Sequence, residues 1–296
     1  MSLQRTTFST AVPDTAEVRS LVEAARAVDG TAALNEAAMI SINHGGPERQ
    51  VTAHSAEALI GYGLLADGHV QVVVDPDHRR SGVATGIVAE LSDHPRSLAY
   101  WAFGDLAGAR AWAAARGAEP VRKLLIMERS PAGPVEVVPP PAGVTIRGYR
   151  AEDAEELIAV NARAFSHHPE QGAMDAADLA SRMSEDWYRP EDLLVATVTD
   201  ADGRSRLTGF HWTKQHDAET GEVYVLAVDP EAGGGGIGRA LLTAGLQHLV
   251  DLGKQRVILY VEDDQPRVVE IYRRAGFEVI HQDVVYAFPG ADSDRV

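Results

Sequence analysis

Two stretches of this chain place an aliphatic run, an Asp-Pro pair and a turn of small residues directly before a helical pattern. One is QVVVDPDHRRSGVATGIVAEL (71–91), the other YVLAVDPEAGGGGIGRALLTAG (224–245). A strand that feeds through such a turn into a helix exposes unpaired backbone N–H groups at the positive end of the helix dipole. That arrangement binds a pyrophosphate. Only small residues let the phosphates approach, which accounts for Gly82 and Ala84 in the first copy and Gly236 and Gly238 in the second. A Walker loop would need Gly-Lys-Ser/Thr after the turn. A dinucleotide fingerprint would need Gly-x-Gly-x-x-Gly on the first strand of the fold, with an acid about 20 residues on. Neither is present. Seven residues before Asp229, Glu222 opens the strand on the side where a ligand held by the following turn would lie. A carboxylate so placed suits proton removal from an amine, directly or through water; its plain alternative is a cross-strand carboxylate.

The elements that must position these residues come in an orderly alternation. In the second half, VTIRGY (144–149) predicts a strand, EDAEELIAVNARAF (152–165) an amphipathic helix, and LLVATVTD a strand turning at Asp202-Gly203 into LTGFHWTK. GEVYVLAVDP predicts a buried strand, and GIGRALLTAGLQHLVDLG a helix ended by Gly253. RVILYVE is a strand, PRVVEIYRRAG a helix ended by Gly276, and FEVIHQDVVYAF the closing strand. The class is α/β with a mixed sheet. The two phosphate-turn segments lie at a constant offset of 154 positions, Asp75 to Asp229 and Ala84 to Gly238, and each is followed by a strand and a helix closed by Gly117 or Gly276. The chain thus reads as a tandem duplication. Five of its fifteen prolines fall in residues 131–143, a stiff extended connector between domains spanning 1–130 and 144–296. The counterpart of Glu222 in the first half is Gly68. The first copy therefore reads as a binding or structural domain, and chemistry belongs to the second.

With 296 residues, 45% hydrophobic and 24% charged, the chain can bury two cores. The absence of cysteine excludes disulfides and any thiol nucleophile. A formal charge of -16 opposes non-specific binding to nucleic acid or anionic membrane and mildly favours a cationic substrate. No apolar run approaches the roughly 20 residues of a membrane helix, and MSLQRTTFST lacks the plan of a signal peptide. The expectation is a cytoplasmic monomer with a small-molecule substrate. His167-His168 lack a third spaced ligand and Glu262-Asp263-Asp264 read as a strand end, so no metal site is expected.

Arg79-Arg80-Ser81-Gly82-Val83-Ala84 matches the Gln/Arg-x-x-Gly-x-Gly/Ala signature of the GNAT superfamily, and Gly233-Gly234-Gly235-Gly236-Ile237-Gly238 keeps its glycines while placing Gly233 where Gln or Arg is usual. The chain resembles this superfamily over nearly its whole length. The resemblance implies two tandem GNAT domains, each a mixed, mostly antiparallel sheet flanked by helices, with acetyl-CoA as co-substrate. It assigns coenzyme contacts to Val72, Val73, Val74 and to Arg79, Arg80, Ser81, Gly82, Val83, Ala84 and Thr85 in the first copy. In the second it assigns them to Leu226, Ala227 and Val228, to Gly233, Gly234, Gly235, Gly236, Ile237, Gly238 and Arg239, and to Gln265, Pro266, Arg267, Val268, Val269 and Glu270. A bulge in the strand at Leu226 to Val228 would free a donor for the thioester carbonyl. Four successive glycines raise the ordering cost of the second turn, by about 0.5–1 kcal/mol each relative to alanine.

Tyr272, four residues before Gly276, stands where many superfamily members have a tyrosine general acid for the leaving sulfur, and its counterpart in the first half is Ala113. RAFSHHPEQG, GFHWTKQH, LYVEDDQ and EIYRRAGF are similar to the tandem members that acetylate the free cysteine amine of a cysteinyl-glucosaminyl-inositol. That resemblance implies substrate contacts from Glu36, Glu170, Lys214, Glu222 and Tyr260, with Glu222 as base. An acetyltransferase for an aminoglycoside or polyamine, a user of a longer acyl-CoA such as succinyl-CoA, and a non-catalytic coenzyme A sensor share the coenzyme motifs and remain alternatives.

Overall fold

The structure is a computed structural model that describes residues 6–290 except 45, 48, 57, 67, 94, 131, 167–168, 200–202, 204 and 233–234. The chain divides into two compact units.

The first unit runs to Leu125 and takes in Glu262–Pro266 and the chain from His281. Its elements are β1 (Thr6–Ser9), α1 (Thr15–Asp29), α2 (Glu36–His44), β2 (Arg49–Ser55), β3 (Ala58–Ala66), β4 (His69–Val74), α3 (Val83–Leu91), β5 (Ala99–Ala102), α4 (Ala107–Ala114) and the start of β6 (Glu119–Arg129). Strand order is β1-β2-β3-β4-β5, antiparallel until β4 and β5, which run parallel. On one face Val18, Leu21 and Ala25 of α1 pack with Tyr62, Leu64 and Val73. On the other Val83, Ile87 and Leu91 of α3 pack with Val51, Ile60 and Tyr100. Alternating strand side chains feed both layers.

The second unit, residues 126–261 with 267–280, repeats the plan. It contains β7 (Val144–Gly148), α5 (Ala154–Ala164), α6 (Pro169–Gly172), α7 (Ala176–Met183), β8 (Leu193–Thr199), β9 (Ser205–Gln215), β10 (Thr220–Val228), α8 (Ile237–Asp251), β11 (Arg256–Glu262), α9 (Pro266–Arg274) and the start of β12 (Glu278–Ala287). Order here is β11-β10-β9-β8-β7, with one parallel pair, β10 and β11. Leu157 and Val160 of α5 and Leu179 of α7 pack with Phe210 and Trp212 on one face, and Ile237 and Leu241 of α8 with Ala196 on the other.

The expectation that FEVIHQDVVYAF closes the second half differs from what is found. Val284 to Ala287 of β12 pair antiparallel with Ala102 to Ala99 of β5, and Val284, Tyr286 and Phe288 complete the apolar cluster of the first unit. Buried area, not sequence position, decides where the last strand goes. Asp283 is carried along with it. Its carboxyl accepts the Gly104 N–H at 2.7 Å, and burial pushes its pKa up to about 6.

Candidate active site

The candidate site of the second unit starts from a defect in a strand. β10 pairs with β9 along its length, but the register slips between Val223 and Val225, leaving Tyr224 as an extra residue. Parallel pairing with β11 runs only from Thr220↔Arg256 to Val223↔Leu259. Beyond that point the two strands part. The Asp229 N–H donates to the Thr208 carbonyl at 2.9 Å, and antiparallel alternation from that bond aims Ala227 at β9 and the N–H groups of Leu226 and Val228 at the opened side. The bulge falls at Tyr224, two residues before the segment where the sequence suggested it. Leu226 and Val228 are thereby the donors available to a ligand lying along the strand.

At the end of β10 the turn is braced from below. Asp229 is fully buried, and its carboxylate takes Arg163 of α5 at 2.7 and 3.2 Å and the Glu231 N–H at 3.0 Å. The Arg163 guanidinium holds the Asp229 carboxyl below the usual carboxylate range. α8 then begins with Gly236 in its N-cap position at φ 95°, with no side-chain cap. The first-turn N–H groups at Ile237, Gly238 and Arg239 are left for an external acceptor. A Cβ on Gly238 would touch Val228 at 3.4 Å, so the cradle floor is formed by β10 itself. The donor set and its shape fit a pyrophosphate. Gly233 and Gly234 lie outside the described residues.

Glu222 lies at the other end of β10. It is buried at 4% exposure, and its Oε2 sits 2.6 Å from Nε2 of His216, the residue that follows β9. Lys214 is its direct cross-strand neighbour. The Lys214 ammonium rests over the Trp187 ring at 4.3 Å and the Tyr224 ring at 5.2 Å. Arg182 of α7 donates to the Tyr224 hydroxyl at 2.5 Å. Carboxylate, imidazole, ammonium and aromatic walls thus share the α5 and α7 face of the sheet, a polar set able to hold a hydroxylated, cationic molecule.

Tyr272 of α9 is buried against Phe277, with ring centroids 5.9 Å apart, and its carbonyl accepts the Ala275 and Phe277 N–H groups at 3.0 and 3.1 Å. Burial pushes its pKa up to about 12, so it stays protonated at neutral pH. Gln265 precedes α9, whose first turns carry Pro266, Arg267, Val268, Val269 and Glu270. Tyr260 of β11 is 44% exposed. Glu36 opens α2 in the first unit. Glu170 falls in α6, and its side chain is outside the described residues, as are His167 and His168.

The first unit has a corresponding cleft. β4 and β5 pair only at His69↔Ala99 and Val70↔Tyr100 before parting, and β4 meets β3 with no register slip. Between them opens a cavity of about 620 Å³ lined by Val72, Val73 and Val74, by Arg79 and Arg80, and by Gly82, Val83, Ala84 and Thr85. That volume suits a bound cofactor. Ser81 turns back to the His78 carbonyl. Arg79 is held by Asp29 through two bonds of 2.7 and 2.8 Å, which ties the turn to α1. Gly68 and Ala113 supply no proton-transfer group.

Sheet order, the splayed parallel pair and the uncapped turn into a helix define an acyl-CoA-dependent acetyltransferase of the GNAT class. Residues 156–277 match the acetyltransferase (GNAT) family, which uses acetyl-CoA as co-substrate. The chain is 42% identical over 281 residues to a mycothiol acetyltransferase of Kytococcus sedentarius, covering 93% of this chain and 94% of that one. It is 42% identical over 284 residues to a mycothiol acetyltransferase of Actinosynnema mirum, covering 92% and 94%. This chain belongs to the mycothiol acetyltransferase family. Its fold is similar to that of a tandem GNAT protein from the clavulanic acid biosynthesis pathway, with TM-score 0.69 and 18% identity over 95% of this chain and 98% of that one. Among the described residues no helix is long and apolar enough to cross a membrane.

Sequence reasoning missed His216, Trp187, Tyr224 and Arg182. His216 was within reach, because it stands two residues from Lys214 on one strand face. Trp187 and Arg182 come from segments with no strand register to place them.

Proposed function

We propose that this chain transfers the acetyl group of acetyl-CoA to the free cysteine amine of cysteinyl-glucosaminyl-inositol, completing mycothiol, and that the second unit performs the reaction. Supporting this reading above all is Glu222, a buried carboxylate beside the bulged strand on the same face as Lys214, in a chain belonging to the mycothiol acetyltransferases.

Acetyl-CoA supplies an activated thioester. The residues to hold it are the turn at Gly235 and Gly236 with the N–H groups of Ile237, Gly238 and Arg239 for the pyrophosphate, and the strand N–H groups of Leu226 and Val228 alongside. One of these strand donors polarises the carbonyl. Glu222 takes a proton from the acceptor ammonium, whose ordinary pKa near 7.7–8 leaves placement as the main task. Tyr272, kept protonated by burial, gives its proton to the departing sulfur. Lys214, Glu170, Tyr260 and Glu36 are assigned to the sugar and inositol hydroxyls. In this reading the first unit binds the coenzyme without turning it over. The protein acts as a soluble cytoplasmic monomer.

A mass-spectrometric assay of acetyl-CoA against an amine panel tests the reading. The cysteinyl-glucosaminyl-inositol is expected to give kcat/KM at least about tenfold above free cysteine or spermidine. A polyamine or aminoglycoside outcompeting it would overturn the acceptor assignment. Absence of acetyl transfer to every amine would favour a coenzyme A sensor.

A further inference from the structure

The proposed base does not stand alone. Glu222 is almost fully buried, and a carboxylate desolvated in this way needs a donor to remain charged. His216 meets that need, with Nε2 2.6 Å from Glu222 Oε2 and a side chain that is 34% exposed. The ring has little freedom to leave. The His216 N–H donates to the Thr220 carbonyl at 3.0 Å, closing the turn between β9 and β10. Within that turn Asp217 Oδ1 accepts the N–H groups of Glu219 and Thr220 at 2.8 and 2.7 Å, and buried Lys254 donates to the Asp217 carbonyl.

We propose that His216 is the positioning residue for Glu222: its Nε2–H holds one carboxylate oxygen, leaving the second turned toward the acceptor amine. This rests on the reading of Glu222 as base. The proton taken from the amine binds the second oxygen while the imidazole bond is kept, so the imidazole changes no charge in the step. Among the described residues, charged groups near the pair include Asp217 and Lys254 at the turn, Lys214 on β9, Arg182 on α7 through the Tyr224 hydroxyl, and Arg256 on β11, whose Nε donates to Thr220 Oγ1 at 2.8 Å. None of these replaces a bond at 2.6 Å, which is charge-assisted and short.

Two variants of the full chain separate this role from a merely structural one. His216→Phe keeps ring size and removes the donor; His216→Gln keeps a donor on a shorter-reaching amide. In His216→Phe the kcat for acetyl transfer is expected to fall at least about tenfold, with KM for acetyl-CoA unchanged. The acid limb of the kcat/KM profile is expected to move up by about one pH unit, because losing a hydrogen bond makes the carboxylate easier to protonate. His216→Gln should recover most of the rate and most of the shift. A 13C titration of the Glu222 carboxyl, assigned by loss of its signal in Glu222→Gln, reports the same displacement without any acceptor. It therefore judges His216 even if the amine assignment fails. A folded His216→Phe with a native Glu222 titration, or a folded His216→Gln that recovers nothing, overturns the proposal.

Discussion

In the proposed mechanism Glu222 and Tyr272 carry opposite sides of one proton ledger, and their variants should respond differently to pH. Glu222→Gln keeps size and an acceptor oxygen but loses basicity, so kcat is expected to fall by about 10²–10⁴ at neutral pH. Raising the pH should recover part of the rate, since an amine deprotonated in bulk solvent no longer needs the carboxylate. Tyr272→Phe removes a hydroxyl that matters only as charge grows on sulfur. Its kcat should drop with acetyl-CoA binding nearly unchanged, and high pH should not restore it. Steady-state kinetics between pH 6.5 and 9.5, roughly bracketing the amine pKa, distinguish the cases. Near-native kcat in both folded variants would leave positioning and backbone polarisation as the source of rate. These two residues stand out in the sequence because the duplication supplies a control, with Gly68 and Ala113 at the matching positions. The partners of Glu222 do not, because a hydrogen bond such as His216 to Glu222 depends on strand register. A slip of one residue turns every side chain to the other face.

At the scale of elements, the two glycine turns before α3 and α8 offer a matched comparison. Gly82 and Gly236 sit at φ 92° and 95°, and a Cβ on either would meet nothing within 4 Å. A valine at either place therefore meets the same local strain, from a left-handed backbone that β-branched residues resist. Gly236→Val is expected to abolish turnover, while Gly82→Val should leave most of it, measured as kcat and as KM for acetyl-CoA. Equal loss from both would refute the assignment of chemistry to the second unit. The strand–turn–helix units of both copies could be read from sequence because Asp-Pro and glycine fix local geometry without help from distant residues. The bulge could not. Tyr224 gives no sequence sign that β10 carries one residue more than β9 allows, and this slip sets which of Leu226, Ala227 and Val228 turns its N–H to the cleft.

The whole molecule holds two buried groups whose titrations oppose each other, one in each unit. His211 of β9 is fully buried, its Nδ1 2.8 Å from the Leu241 carbonyl, and desolvation lowers its pKa to about 4. Below about pH 6.5 the unfolded chain takes up this proton while the folded chain does not. Stability of the second unit is thus full above that pH and falls on acidification toward pH 4, by about 3 kcal/mol for a shift of this size. Asp283 behaves in reverse. Its pKa is raised to about 6 by burial in the first unit, so the folded state holds a proton that the unfolded chain has lost. That contribution is complete below the unfolded value near pH 3.9 and disappears as pH rises through 6, again about 3 kcal/mol. Acidification from pH 7 to 4.5 is therefore expected to weaken the second unit and strengthen the first. Hydrogen exchange read by mass spectrometry, corrected for the intrinsic pH dependence of exchange, provides the check. Peptides of β9 and α8 should lose protection at pH 4.5, whereas peptides covering β5 and residues 281–287 should gain it. Parallel loss in both sets would show that neither buried group governs its unit's response to acid.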